Sequence, residues 1–360
     1  MANNNENYGQ IIESRVIPDL VACLKEYYAN QKELTFNISR FLSKMSSDFE
    51  CCAQIVKTDP YSALIGILRV YGQEGVATKK DFMAILNRIS FVLGNLTTHF
   101  PVSRHAIGED KAVFSQLLKL TNRLFGPLFD QAIHEKKQGD QVEELLTKLI
   151  RVVANVATEE VLFPLLIRDL RKELQEFIQL VVKSLEMMTL EKNEEYILNS
   201  VSCLTNILFY DTPQENKEDE LVSQKSREQI FRFVSPFVYT SQNDEVQIET
   251  VRVLSNLSRH LHMCRTFADL DKAQEEERSF ADVLLLLVQN SLRELVYYGI
   301  GILINVSLHK ECRVAILSRP FIDQLTNVVR DCNIEDMELA KSAIKALLNL
   351  TAETTYWAEN

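Results

Sequence analysis

Six asparagines stand in near-identical surroundings along this 360-residue chain: Asn95, Asn155, Asn206, Asn256, Asn305 and Asn349. Each follows two or three small or aliphatic residues and precedes another aliphatic one, as in Val92-Leu93-Gly94-Asn95-Leu96-Thr97 and Val253-Leu254-Ser255-Asn256-Leu257-Ser258. Asn is a mediocre helix former, so its return among aliphatic neighbours needs a reason. Its amide offers one acceptor oxygen and two N–H donors, the complement of a peptide main chain. A row of such amides, one per structural unit, could hold an extended peptide. It could equally tie each unit internally, bonding the loops between its own helices, and the residues leave both readings open.

The residues one helical turn away would decide what such a row selects. Four positions before each Asn come Phe91, Arg151, Ser202, Arg252, Gly301 and Lys345; four after come His99, Glu159, Tyr210, His260, His309 and Glu353. Arg151 and Arg252 would favour acidic or phosphorylated segments. The histidines have a second reading, since cations near a helix C-terminus complement the macrodipole. The candidate partner-binding groove is therefore Asn95, Arg151, Asn155, Asn206, Tyr210, Arg252, Asn256, His260, Asn305, His309 and Asn349.

Other chemistry is thinly represented. His260-Leu261-His262-Met263-Cys264 has ligand-type side chains but no second cluster at zinc-site spacing. Cys51-Cys52 reads as packing within a connector. The sequence contains no Gly-rich phosphate loop, nucleophile elbow or paired-carboxylate arrangement. No catalytic residue, metal or cofactor is assigned, and the chain is not expected to be an enzyme.

What must position the asparagines is a repeated helical unit. Successive asparagines are 60, 51, 50, 49 and 44 residues apart, and a period of this size marks a solenoid. A degenerate copy precedes them, with Lys44 in the equivalent position 51 residues before Asn95. The wider gap of 60 residues suggests an insertion, with His134 to Asp140 the expected loop. Apolar residues recur at helical spacing in Ser226 to Tyr239, and a second helix is expected from about Val246 to His260. Each unit offers two long helices and a shorter linking one, and no unit can bury both faces alone. The approximate units are 11–52, 53–104, 105–164, 165–213, 225–265, 266–313 and 314–355, forming one domain over 1–360. The expected fold is all-α, a right-handed α-solenoid.

Composition agrees with that reading. Apolar residues make up 46% of the chain, which excludes disorder for most of it, while Gly and Pro number only 10 and 8. A net charge of −11 argues against nucleic acid or an anionic membrane as the main ligand. Acidic runs at 214–220 and 274–277 read as solvated connectors. The seven cysteines, an odd number, fit reduced thiols in the cytoplasm. No apolar run reaches the ~18–20 residues of a membrane helix.

The unit length, the three-helix organisation and the Asn of the last helix resemble the armadillo-repeat family, over essentially the whole chain in about seven units. Nuclear import receptors of that family carry Trp four residues before the ladder Asn. Here that position is never Trp, and the one Trp is Trp357. The order of variants, with Arg four before Asn at Arg151 and Arg252 and a closing run from Val329-Arg330-Asp331-Cys332 to Leu347-Leu348-Asn349-Leu350-Thr351, is similar to that of a ciliary member of the family. That resemblance implies a non-enzymatic scaffold or adaptor of the motile cilium or flagellum, which delivers or anchors radial spokes of the axoneme. Its implied partners are radial-spoke or other axonemal proteins, with the intraflagellar transport machinery a further candidate. A cytosolic regulator of a small GTPase and a nuclear transport adaptor are the alternatives within the same family.

Overall fold

Helices account for all the regular structure among the described residues of the computed structural model, which are 7–73, 80–134, 136–213, 220–268 and 279–352. They gather into two compact units, residues 1–207 and 208–360. The first opens with α1 (Tyr8–Glu13), α2 (Val16–Tyr27) and α3 (Lys32–Met45). The pattern returns as α4 (Phe49–Lys57), α5 (Tyr61–Tyr71) and α6 (Lys80–His99). It returns again as α7 (Pro101–Gly108), α8 (Lys111–His134) and α9 (Lys136–Val156). Then come α10 (Phe163–Leu185) and α11 (Leu190–Leu208). Leu170 breaks the helical backbone inside α10 (φ −125°), so α10 is a connector fused to a long helix. Neighbouring α3, α6 and α9, with α11 bonded to α9, make one layer; α2, α5, α8 and α10 make the other.

The second unit repeats the scheme. Its helices are α12 (Gln224–Val234), α13 (Phe237–Thr240) and α14 (Asp244–Leu257), then α15 (Leu261–Phe267), α16 (Phe280–Val288) and α17 (Arg293–Ser307). It closes with α18 (Lys310–Ile316), α19 (Phe321–Asp331), a 3₁₀ turn at Ile334–Asp336 and α20 (Met337–Thr351). The architecture is an all-α solenoid. Helices α3, α6, α9 and α11, and in the second unit α14, α17 and α20, carry the ladder positions near their C-terminal ends.

Local sequence explains the elements. On α6, Ile85, Leu86, Ile89, Val92, Leu93 and Leu96 follow helical spacing and are wholly buried. Asp48 caps α4 by accepting from Cys51 N–H at 2.9 Å, and Asn243 caps α14 by accepting from Glu245 N–H at 2.9 Å. Pro101 begins α7, where a missing N–H costs nothing.

Three expectations are corrected. Residues 136–140 lie in a helix, so the insertion before Asn155 lengthens α8 and α9 to 24 and 21 residues instead of forming a loop. The helix expected over Ser226 to Tyr239 is broken at Ser235-Pro236, because proline has no N–H to continue it. The helix expected to reach His260 ends at Leu257, and Ser258 to His260 form a turn. Residues 214–219 and 274–277 and Trp357 lie outside the described residues.

Two of the ladder helices, α3 and α20, differ in character. Glu33, Asn37, Arg40 and Lys44 make the exposed stripe of α3, whereas Met337, Lys341, Ile344 and Leu348 occupy the corresponding stripe of α20.

Candidate functional site on the ladder helices

Each ladder helix ends in a turn whose last carbonyls have no partner within the helix. The asparagines supply one from the next repeat. Asn155 Nδ2 donates to the Gly94 carbonyl at 3.3 Å, Asn206 Nδ2 to the Ala154 carbonyl at 3.0 Å and Asn349 Nδ2 to the Ile304 carbonyl at 3.1 Å. In all three the acceptor is the residue just before the ladder position of the preceding repeat. A second register reaches the hydroxyl two residues after that position. Asn95 donates to Ser46 Oγ at 3.2 Å, Asn155 to Thr97 Oγ1 at 2.9 Å and Asn305 to Ser258 Oγ at 2.8 Å. Ser46 lies two residues after Lys44, so Lys44 does hold the first ladder position. These amides therefore bond between adjacent repeats, and not within a single unit.

Such bonding orients the amide plane. Asn95 is buried, while Asn155, Asn206, Asn256, Asn305 and Asn349 are half-buried. With one N–H directed at the preceding repeat, the rest of the Asn155, Asn206, Asn305 and Asn349 amides has a fixed direction, a preorganised polar row within each unit.

Arg151 lies over Gly94, where a Cβ would sit 3.7 Å from Arg151 Cδ, and its guanidinium donates to Thr98 Oγ1 at 3.0 Å. Burial lowers its pKa, with Glu195 opposing. Arg252 is 36% exposed, pairs with Glu249 at 2.5 Å and stands 5.8 Å over the Tyr298 ring. Both cations are held in place, and Arg252 keeps a solvent-facing edge.

Among the described residues, the row four positions after the asparagines is not carried by the ladder helices, because only α6 continues that far. His99 is its last residue and meets Phe49 edge-on at 5.7 Å. Tyr210 lies in the turn after α11, its ring edge-on to Phe209 at 5.2 Å. His309 is the N-cap residue of α18 and half-buried. His260 is corrected most: it is 4% exposed, and its Nε2 lies 3.1 Å from the Asp211 carbonyl and 3.2 Å from Asp211 Oδ2.

Asp211 is the centre of a buried ionic cluster. Arg227, 1% exposed, donates from Nε to Asp211 Oδ2 at 2.9 Å and from Nη2 to Oδ1 at 3.1 Å, and from Nη1 to Glu220 at 3.1 Å. Burial disfavours the Asp211 carboxylate, but hydrogen bonds from His260 and Arg227 outweigh it and hold the pKa below the ordinary value. The cluster fastens the stretch between α11 and α12 to α15; it is structural.

Sequence reasoning missed a second set of cations. Arg104 donates to the Thr97 carbonyl at 2.9 Å, Arg259 to the Phe209 carbonyl at 2.9 Å, and Arg313 to the Ser307 and Asn349 carbonyls at 3.2 and 2.9 Å. They satisfy carbonyls at the ends of ladder helices, and their partners are up to 51 positions away. The thiols form a related series: Cys52 donates to the Ser46 carbonyl at 2.9 Å and Cys264 to the Ser258 carbonyl at 2.8 Å. Burial pushes Cys51 up to about 12, Cys52 to about 11 and Cys264 to about 12, so these groups stay as thiols.

No family model matches the chain. Among curated proteins, armadillo repeat-containing protein 2 of Mus musculus is 26% identical over 340 residues, covering 93% of this chain, and that of Homo sapiens is 24% identical over 353 residues, covering 94%. The chain is similar to armadillo repeat-containing protein 2. It spans 36% and 37% of the length of those two relatives. Among solved structures, UNC-45 from Drosophila melanogaster matches with a TM-score of 0.63 at 14% identity, over 96% of this chain and 38% of that one. A chain from "A conserved phosphorylation switch controls the interaction between cadherin and beta-catenin in vitro and in vivo" matches with a TM-score of 0.62 at 14% identity, over 97% and 72%. These likenesses establish the armadillo-type fold.

Proposed function

We propose that the chain is a non-enzymatic protein-binding scaffold acting in motile-cilium assembly, where it delivers or anchors radial spokes of the axoneme. The observation that carries the reading is the similarity to armadillo repeat-containing protein 2 over 93% of the chain. That resemblance implies an axonemal adaptor working in the cytoplasm and the cilium or flagellum. Its partners are radial-spoke or other axonemal proteins, and the intraflagellar transport machinery is a candidate carrier.

The ladder surface supports a binding role of this kind. The Asn155, Asn206, Asn305 and Asn349 amides have fixed directions, and Arg151 and Arg252 are held by Thr98 and by Glu249. Preorganised polar groups lose less freedom on binding and so discriminate better. An acidic or phosphorylated segment would meet Arg151 in the first unit or Arg252 in the second.

Localisation in a ciliated cell combined with affinity capture tests the proposal. The tagged chain should enrich in cilia or at their base and retain radial-spoke proteins. Arg151→Glu with Arg252→Glu should abolish that capture while melting stays within a few degrees of the unmodified chain. A protein found only in the nucleus, or one whose capture ignores both reversals, defeats the reading.

A further inference from the structure

The second layer of the first unit holds a pocket to which no ladder helix contributes. It encloses about 770 Å³ and is lined by α5, α8 and α10 alone. That is room for two or three side chains. Leu117, Leu120, Phe129 and Leu180 contribute its apolar walls.

Charge distinguishes this pocket from the rest of an acidic molecule. Arg69, Lys119, Arg123 and Lys183 surround it, against the single lining carboxylate of Glu176. All four cations are exposed, and among the described residues none is paired with a carboxylate. Lys183 stands 4.3 Å from the centre of the Phe129 ring, joining the charged rim to the apolar wall. In a chain of net charge −11, such a concentration of unpaired cations attracts anions locally.

A further feature is space. Gly126 lines the pocket, and a Cβ placed there would meet nothing within 4 Å.

We infer that this pocket is a second protein-binding site, which takes an acidic peptide segment carrying bulky apolar side chains. The carboxylates pair with the rim cations and the apolar side chains enter between α8 and α10. The four rim cations are spread over α5, α8 and α10, which matches carboxylates distributed along a peptide better than the single compact headgroup of a lipid.

The test places the full chain on arrays of short peptides in which Glu and Asp alternate with Leu and Phe, beside matched arrays with Gln or Lys in the acidic positions. Retention should be strong on the acidic set, weaker by roughly tenfold or more on the Gln set, and absent on the Lys set. Gly126→Leu fills the pocket at a helix position with room for it. It should keep or raise the melting temperature and lower retention by roughly tenfold or more. Arg123→Glu with Lys183→Glu should do the same to retention, while Lys310→Glu, at an exposed cation of the second unit, should leave it unchanged. Equal retention by the unmodified chain and Gly126→Leu overturns the site, as does equal retention on acidic and Gln peptides or none at all. Capture of phosphatidylserine vesicles, abolished by Gly126→Leu and unaccompanied by peptide retention, overturns the assignment to a peptide.

Discussion

At the scale of single residues, the ladder asparagines are joints between repeats as well as a surface. Asn155 donates to three acceptors at the end of α6, so Asn155→Ala should cost about 1–2 kcal/mol in urea unfolding. Asp211 should matter more. Asp211→Asn leaves Arg227 buried beside a weaker partner, and removing one member of a buried pair costs about 3–5 kcal/mol. The Asp211 pKa is depressed in the folded state, so its charged form stabilises the fold above about pH 4, the ordinary range of an unfolded carboxyl. That contribution is lost as pH falls through the folded value. The gap between Asp211→Asn and the unmodified protein should therefore be full at neutral pH and shrink below about pH 4, as read by urea midpoints across the range. Thiol labelling of the native protein should reach half-buried Cys23 and Cys332 first, and the five buried cysteines only on unfolding. Recurrence revealed which asparagines matter, but not what they bond. Their acceptors sit 45–61 positions earlier in the chain, beyond the reach of a local pattern.

Elements were legible wherever helical periodicity ran unbroken. The ladder helices and their order followed from apolar spacing, and the solenoid from the recurrence of the unit. Boundaries were harder, because one proline or one turn decides them. Pro236 divides a segment that otherwise reads as continuous helix, and α14 ends one residue after Asn256. Such early ends, of α14 at Leu257 and of α17 at Ser307, explain why counting four residues onward misplaced His260 and His309: the angular rule holds only while the helix continues. Two glycines show how an element's neighbours set the sign of a substitution. At Gly94 a Cβ would meet Arg151 at an ordinary 3.7 Å, so Gly94→Ala should stabilise by up to about 1 kcal/mol through helix propensity. At Gly66 the same atom would fall 2.5 Å from Tyr28 Oη, so Gly66→Ala should instead destabilise by about 1–3 kcal/mol. Thermal unfolding of the pair would separate the two effects.

For the molecule as a whole, exposed apolar patches favour association. The exposed stripe of α3 is polar, and that of α20 is not: Met337, Ile344 and Leu348 are 52%, 45% and 63% exposed. Ile344→Lys with Leu348→Glu should leave the unfolding midpoint within about 0.5 kcal/mol and reduce light scattering at high protein concentration. The register of the asparagines has its own consequence for chain length. One residue added within the last turns of a ladder helix would swing its amide by about 100° and detach it from the preceding repeat. The gap of 60 residues before Asn155 avoids this, since the added length lies upstream, in α8 and the start of α9, and Asn155 still finds Gly94. Insertions and deletions are thus sorted by phase: connectors and helix beginnings absorb them, while the closing turns accept only exchanges of one residue for another.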